Sequence, residues 1–441
     1  MKKIWMPGTL ALAGIAALSP SAVAARSALP PLVIPRCMGV NIHFTRPRPG
    51  EMRMLAHAGF HWVRMDFFWA NTEKTRGRYN FSAYDRLLAA LKPWHIHALL
   101  ILDYANPLYD HGLAPYDHAG RAAFARWATA AARHFKGRRV LWEMYNEPNG
   151  NWFWKLPPGE KAADRITNYI KLALATGRAI HRADPHAAFI GPAESGMNLS
   201  YVKRCFQGGL LKYWCAVSMH PYRQTGPETV AADYEKLKKL IAHYEPRGRH
   251  IPIIAGEWGY SSAWKNITPK VQGQYLAREF LINISNGIPL TIWYDWHDDG
   301  TVATNSEHNF GTVLYPYNKG AARHGFVYKP KPAYRAAVTL SHVLRGYRFV
   351  RRLRTSGAVG KKPISASAQK TDFVLLFAKG HSSRVVAWTT AKKPQMARVP
   401  VGNGHFRVVD YQGRLVEKGA VAGPGGLLLR LTGGPQYVES Q

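Results

Sequence analysis

Two glutamates stand in polar settings at the ends of short apolar runs, in Tyr145-Asn146-Glu147-Pro148 and Gly256-Glu257-Trp258-Gly259. A pair of carboxyls suits glycosidic cleavage, in which one acid protonates the leaving oxygen and one carboxylate stabilises or attacks the developing oxocarbenium carbon. Such a pair needs two environments, so that one group stays protonated while the other is ionised. Arg64 is a candidate to hold Glu257 ionised through a charge-assisted hydrogen bond. Asn146 is a candidate for a sugar 2-hydroxyl and Tyr222 for orienting Glu257. Each of these has a plain structural reading. Asn-Glu-Pro is a short string, Arg64 suits an ordinary ion pair, and His220 suits a core histidine. The weight lies in their conjunction at the ends of successive strands.

Those strands are readable as short, β-rich apolar runs. Eight occur before residue 300: 37–43, 61–69, 97–104, 140–147, 187–193, 215–222, 251–259 and 288–296. Segments of helical period separate or follow them at 49–59, 82–93, 118–136, 160–183, 228–246, 268–286 and 331–344. Near-continuous apolar runs are what parallel strands covered on both faces require. Eight βα repeats predict a (β/α)8 barrel, and no G-x-G-x-x-G follows the first strand to support a dinucleotide-binding sheet. In such a barrel the active groups sit at the C-terminal strand ends, where Asn146-Glu147, His220-Pro221-Tyr222, Glu257 and Trp296 all fall. Asn41 and His43 after strand 1, Asp103 after strand 3, and Asp298 and Glu307 after strand 8 are further candidates for sugar hydroxyls, with loop solvation as their alternative. Trp69, Trp152, Trp154, Trp258 and Trp264 are candidates to line a glycan cleft or to pack in the core.

The barrel is expected over residues 25–345. From 346 to 441 the text changes to short β segments broken by Gly, Pro and Ser, with Tyr411-Gln412-Gly413 as a hairpin signal, which predicts a small antiparallel, sandwich-like domain. Residues 1–24 combine Lys2 and Lys3, an apolar stretch and a small-residue Ala22-Val23-Ala24 end, as in a secretory signal peptide. A secreted or periplasmic monomer is expected, with no spanning helix once the leader is removed.

The 59 Lys and Arg against 27 Asp and Glu give a formal charge of +32. A field of that size favours acidic partners. The basic residues are nevertheless scattered, and no nucleic-acid motif accompanies them, so adaptation to an acidic medium or surface solvation ranks first, an anionic glycan second, and nucleic acid is not expected. Cys205 and Cys215 are spaced to close a small disulfide loop, leaving Cys37 single, with buried free thiols as the alternative. No metal or organic cofactor is implied, since three such cysteines make no zinc site and Asp298-Asp299-Gly300 is too short for a calcium loop.

Over roughly residues 36–344 the chain resembles the glycoside hydrolases of clan A, whose barrels carry an Asn-Glu pair after strand 4 and a nucleophilic Glu at strand 7. The stretches WEMYNEPNGNWFW, MHPY and GEWGYSS are most similar to family 39 and to the endoglycosidases of bacterial exopolysaccharide and biofilm gene clusters. WYDWHDDGTVATNSEHNFG, residues 293–311, resembles their strand 8 region. The resemblance implies Glu147 as acid/base, Glu257 as nucleophile and Asn146 as the 2-hydroxyl partner. It makes Arg64, His220 and Tyr222 supports of the carboxyls and Trp296 the aromatic floor, and it implies retention of configuration. The expected function is an exported, endo-acting retaining hydrolase of a bacterial exopolysaccharide or related polysaccharide. An exo-acting glycosidase or a transglycosylase shares this chemistry. A non-catalytic carbohydrate-binding barrel is the alternative of another class, and the survival of both glutamates argues against it.

Overall fold

A computed structural model of the protein describes residues 29–441 except 324, 356–357, 360–361, 364–370 and 424. The leader expected over residues 1–24 lies outside them. Eight parallel strands close a barrel in sequence order. They are β1 Met38–Asn41, β2 Trp62–Phe68, β3 His97–Asp103, β4 Leu141–Met144, β5 Ala188–Ser195, β6 Val217–His220, β7 Ile253–Trp258 and β8 Thr291–Trp293. Between them and after them run α1 Glu51–His57, α2 Ser82–Leu91, α3 His118–His134, α4 Ala162–Ala183, α5 Leu199–Gln207, α6 Ala231–Tyr244, α7 Pro269–Ser285 and α8 Pro332–Val343. The barrel expected from the repeat of strand and helix signals is the one observed.

The period of two along each strand sorts its residues between the barrel interior and the helical shell. Trp62, Leu99, Ile101, Leu141, Ile190, Ala216, Ile254 and Ile292 meet in an apolar plug inside the barrel. Each fully buried Ile or Leu there contributes about 1.5–3 kcal/mol. Two residues further along three of the strands, the same inward positions hold Arg64, Glu143 and Ser218, all buried. The plug therefore gives way to an ionic layer at the C-terminal mouth, and the burial below it helps offset the cost of charge above.

The C-terminal strands are β9 Arg348–Leu353, β10 Asp372–Lys379, β11 Ser382–Thr389, β12 Gln395–Val399, β13 Gly404–Asp410, β14 Leu415–Ala422, β15 Leu427–Leu431 and β16 Gln436–Ser440. Six form one antiparallel sheet in the order β9-β10-β11-β16-β13-β14, and β12 pairs with β15. Val374, Val385, Val408, Val399 and Leu429 fill the space between the two sheets, as expected of a small sandwich. The other face of the large sheet, through Phe377, Trp388 and Tyr437, joins the barrel core. At that junction Glu228 accepts from Arg278 Nη2 at 2.6 Å and from Trp388 Nε1 at 2.7 Å. Helix α7, carrying Arg278, is buried from Leu276 to Ile284 because it is covered from both sides.

The cysteines correct an expectation. Cys37, Cys205 and Cys215 are free and buried. Cys205 packs from α5 into the core outside the strands, whereas Cys215 belongs to the plug inside them, so the barrel wall lies between the two thiols. Burial pushes the Cys215 thiol up to about 11 and Cys37 to about 12, which leaves both inert as nucleophiles. Among the described residues no helix is long and apolar enough to cross a membrane.

Candidate active site

Arg64 is the centre of the mouth. It is 1% exposed. Its guanidinium donates from Nε to Glu143 Oε2 at 2.6 Å, from Nη2 to Asn146 Oδ1 at 2.7 Å and from Nη1 to Asn41 Oδ1 at 3.2 Å. Nη1 also donates to Glu257 Oε2. Burial acts against its charge, but Glu143 and Glu257 outweigh burial and hold the group protonated beyond its ordinary range. A planar fork with five donors fits such a ring of acceptors, which the point charge of a lysine does not.

Glu257, at the end of β7, is fixed at both oxygens, since Tyr222 O–H donates to Oε1 at 2.7 Å. The Tyr222 phenol is raised by burial and by Glu257, so it remains a donor. Gly256 makes room for the layer beneath. A Cβ there would lie 2.8 Å from Glu143 Oε1 and would collide with Ser218 Oγ, the donor to that same oxygen.

Glu147 follows β4 in a tight turn in which Tyr145 and Glu147 both adopt left-handed backbone, with φ of 63° and 44°. Such positions cost a non-glycine residue of order 1 kcal/mol and cluster at functional sites. Its amide donates to Ala193 O at 2.9 Å, and its Oε1 lies 3.0 Å from His220 Nδ1. Arg64 Nη2 faces the other ring nitrogen of His220 at 3.4 Å. Because arginine only donates, that nitrogen accepts, and Nδ1–H is the donor to Glu147. Burial raises the Glu147 carboxyl, but the hydrogen bonds from His220 and Ser195 and the charge of Arg64 prevail and leave it below the ordinary carboxylate range. One oxygen of Glu147 and one of Glu257 lie within 4.8 Å of each other and of a His220 ring nitrogen. Behind Glu147, buried Glu194 is pushed up to about 8 by burial, with the charge of Glu147 adding to the shift.

The structure brings together Asn41, Arg64, Asn146, Glu147, His220, Tyr222 and Glu257. It relocates two other candidates. Trp296, expected as an aromatic floor, is 1% exposed, donates from Nε1 to Glu51 Oε1 at 3.0 Å and packs on Phe60, Tyr328 and Tyr334. It is a core residue on the α1 side. Tyr294 is the ring near Glu257 instead. Its hydroxyl lies 3.3 Å from Glu307 Oε2, and its phenol is raised by burial and by the charges of Asp295 and Glu257. Asp298, expected to contact substrate, is buried and accepts from Lys331 Nζ at 2.8 Å and Gly311 N–H at 2.9 Å, which pins the loop after β8.

His43 lies 3.3 Å from Asp295 and 3.9 Å from Asp299. Burial opposes its charge, but Asp295 pushes it up to about 9, while burial raises Asp295 to about 7. His43, Asp295 and Asp299 are grouped closely enough to share a cation, as are Glu147, His220 and Glu257, where the neighbouring charge of Arg64 opposes one. Asp103, at the end of β3, is buried and raised well above its ordinary value by burial and by Asp66. Of the loop tryptophans, Trp69, Trp154 and Trp258 are core, Trp264 is half-buried and Trp152 is 87% exposed. Sequence reasoning missed Glu143, Ser218, Glu194, Tyr294 and Asp295. Glu143 and Ser218 read as ordinary strand residues, Glu194 falls just past the run 187–193, and only the inward parity of Glu143 with Glu147 nearby was a usable signal.

The model of the family described as Cellulase (glycosyl hydrolase family 5) matches residues 37–300. No curated protein matches the chain significantly. Among solved structures, a family 39 glycoside hydrolase from the gut symbiont Bacteroides cellulosilyticus WH2 is 23% identical, with 93% of this chain and 81% of that chain covered and a TM-score of 0.74. A GH39 β-xylosidase from Caulobacter crescentus is 17% identical over 92% and 96% of the two chains, with a TM-score of 0.61. A GH30 endoxylanase from Clostridium papyrosolvens C71 is 12% identical over 94% and 98%, with a TM-score of 0.59. At these identities the likeness is one of fold. The family match spans more than half of the sequence and coincides with the barrel, so the chain belongs to the cellulase family of glycosyl hydrolases, family 5, and is a glycoside hydrolase of clan A.

Proposed function

We propose that this glycoside hydrolase retains anomeric configuration, with Glu257 as nucleophile and Glu147 as general acid and then base, and that it cuts within an exported polysaccharide. The observation that carries the reading is the placing of two carboxyls within 4.8 Å in unequal surroundings. Inverting enzymes hold the pair about 6.5–9.5 Å apart to admit a water, whereas retaining enzymes hold it at about 5–5.5 Å. Glu257, bound by Arg64 and Tyr222, attacks the anomeric carbon as the glycosidic bond breaks, and the leaving oxygen takes its proton from Glu147. Glu147 then removes a proton from the water that releases the sugar from Glu257.

For the first step Glu147 must hold a proton. A sugar chain covering the mouth excludes water, strengthens the burial effect that raises this carboxyl and so favours protonation. Asn146 commits its oxygen to Arg64, which leaves its NH2 for a sugar 2-hydroxyl. Tyr294 serves as the ring under the sugar at the cleavage point. A matching expectation separates it from Trp296: Trp296→Ala costs about 3–5 kcal/mol of stability, whereas Tyr294→Ala chiefly raises KM. Denaturation and steady-state kinetics on both variants decide it, and the reverse ordering would restore Trp296 as the floor.

Exposed Trp152, in the loop that follows Glu147, supports a longer cleft and so endo action. The leader-like residues 1–24 support export. Xylosidases and xylanases among the structural neighbours place xylan on the substrate panel beside bacterial exopolysaccharide.

Glu147→Ala is expected to slow substrates with poor leaving groups by about 10²–10⁴-fold, to spare activated aryl glycosides in the bond-breaking step, and to recover with azide as a product of retained configuration. Failure of both discrimination and rescue would remove Glu147 from the role. The direct test incubates the protein and its Glu257→Gln variant with xylan, neutral glucans, uronate-containing polymers and exopolysaccharide from the source organism. New reducing ends and oligosaccharides from the intact protein alone establish endo action. Monosaccharide alone gives the exo reading, and binding without release by either protein gives the non-catalytic one.

A further inference from the structure

A cavity of about 820 Å³ opens at the other end of the barrel, beneath Trp62, His97 and Ala188, the first residues of β2, β3 and β5. The apolar plug separates it from the ionic layer. Its size falls within the range of about 300–1,000 Å³ typical of small-molecule sites. Arg36, Lys136 and Arg139 line it, against one carboxylate, Asp184, which lies 3.9 Å from Lys136. Among the described residues neither Arg36 nor Arg139 has a carboxylate partner, and residues 1–28 contain no Asp or Glu. Both arginines are exposed at the rim of the cavity, free to turn toward a bound anion.

Four imidazoles share the same wall, those of His61, His95, His97 and His186. Burial and the charges of Arg345 and Arg36 hold His61 below its ordinary value, and burial, Arg139 and His95 do the same for His97. Like charges thus converge here against the single carboxylate of Asp184. Two of these basic residues, His95 and Arg139, also sit in left-handed backbone, with φ of 54° and 56°, where glycine is the usual residue. Edges of Trp62 and Trp142 complete the lining, with the Trp62 and His97 rings 5.1 Å apart. A concave site of predominantly positive charge with aromatic walls concentrates anions that also carry an apolar face.

We infer that this cavity is a second, non-catalytic carbohydrate site that takes an acidic glycan segment, sugar rings bearing carboxylates, and holds the enzyme on a polyanionic matrix while the opposite mouth cuts. The tethering role rests on the reading of the protein as a polysaccharide hydrolase; the binding does not.

The test is calorimetric titration of the full protein with trigalacturonate and, separately, inorganic pyrophosphate, at pH 5.5 and pH 8. The variant is Arg36→Ser/Arg139→Gly, whose glycine suits the left-handed backbone. Lys392→Ser/Lys393→Ser, on an exposed turn of the C-terminal sheets, removes equal charge as a control. Saturable one-site binding of trigalacturonate is expected, weakened about tenfold or more in the first variant and unchanged in the control. It should be about tenfold tighter at pH 5.5, because a bound carboxylate offsets the burial and like charge that hold His61 and His97 below their ordinary value, so that both take up protons beside Arg36, Lys136, Arg139, Arg345 and Asp184. Turnover of a small aryl glycoside should be equal in all three proteins, and loss of turnover in all three would count against the catalytic reading alone. Binding of pyrophosphate without trigalacturonate, equal weakening by the control, or no saturable binding would each overturn the site.

Discussion

Glu257→Gln lowers kcat on the order of 10⁴-fold or more while the barrel stays folded. The substitution keeps the shape of the side chain and its oxygen acceptor for Tyr222, but removes the charge that attacks the anomeric carbon. Arg64 does not become an orphan in that variant, because Glu143 still holds its Nε at 2.6 Å and Asn41 and Asn146 still accept from the other nitrogens. The effect therefore falls on kcat, with little change in the denaturation midpoint. Azide offers a second reading: attacking in place of a truncated Glu257→Gly side chain, it gives a glycosyl azide of inverted configuration, opposite to the azide product of Glu147→Ala. Near-normal turnover of Glu257→Gln, or the same anomer from both rescues, would end the assignment of the two glutamates.

The reading from residues alone reached the barrel because parallel strands buried on both faces leave near-continuous apolar runs, and all eight were placed within a few residues. It missed α5. That helix spans only nine residues and shows just Tyr201, Val202, Cys205 and Phe206 as a buried stripe, too short a run for the helical period to stand out. Within the C-terminal sheets it missed β9, whose apolar residues are diluted by exposed Arg348, Arg351 and Arg352, and the five-residue β12 and β16, too short for a period to stand out.

At the site, residues declared by motif were found and residues defined by facing were not. Glu147 and Glu257 stand at strand ends with polar neighbours. Glu143 lies inside an apolar run, and its importance comes from pointing inward one layer below the mouth, which only closure of the barrel brings opposite Arg64 and Ser218. Trp296 misled for the same reason. After β8 the chain turns its indole toward Glu51 and leaves Tyr294 beside Glu257, an exchange of two positions that composition cannot register. Asp298 was judged by its loop, but Lys331, 33 residues later, claims its carboxylate.

Arg64→Met is the second large expectation, and it concerns stability as much as rate. Replacing one member of a buried ionic cluster leaves its partners charged and unanswered, at a cost of about 3–5 kcal/mol. Glu143 suffers most, since it would retain only the Ser218 hydroxyl in a layer closed beneath by the apolar plug. Arg64→Lys should recover little, because an ammonium cannot span acceptors on β1, β4 and β7 at once. Adding Glu143→Gln to Arg64→Met removes the stranded charge, so the double variant should be more stable than Arg64→Met alone by about 1–3 kcal/mol, measured as a shift in denaturant midpoint of the barrel transition. Activity should not return with stability, because Glu257 still lacks the cation that keeps it ionised and in place. If the two substitutions prove additive, Arg64 and Glu143 are not coupled. If activity returns with the fold, Arg64 serves only the barrel, and the ionisation of Glu257 must be secured by Tyr222 and the surrounding field.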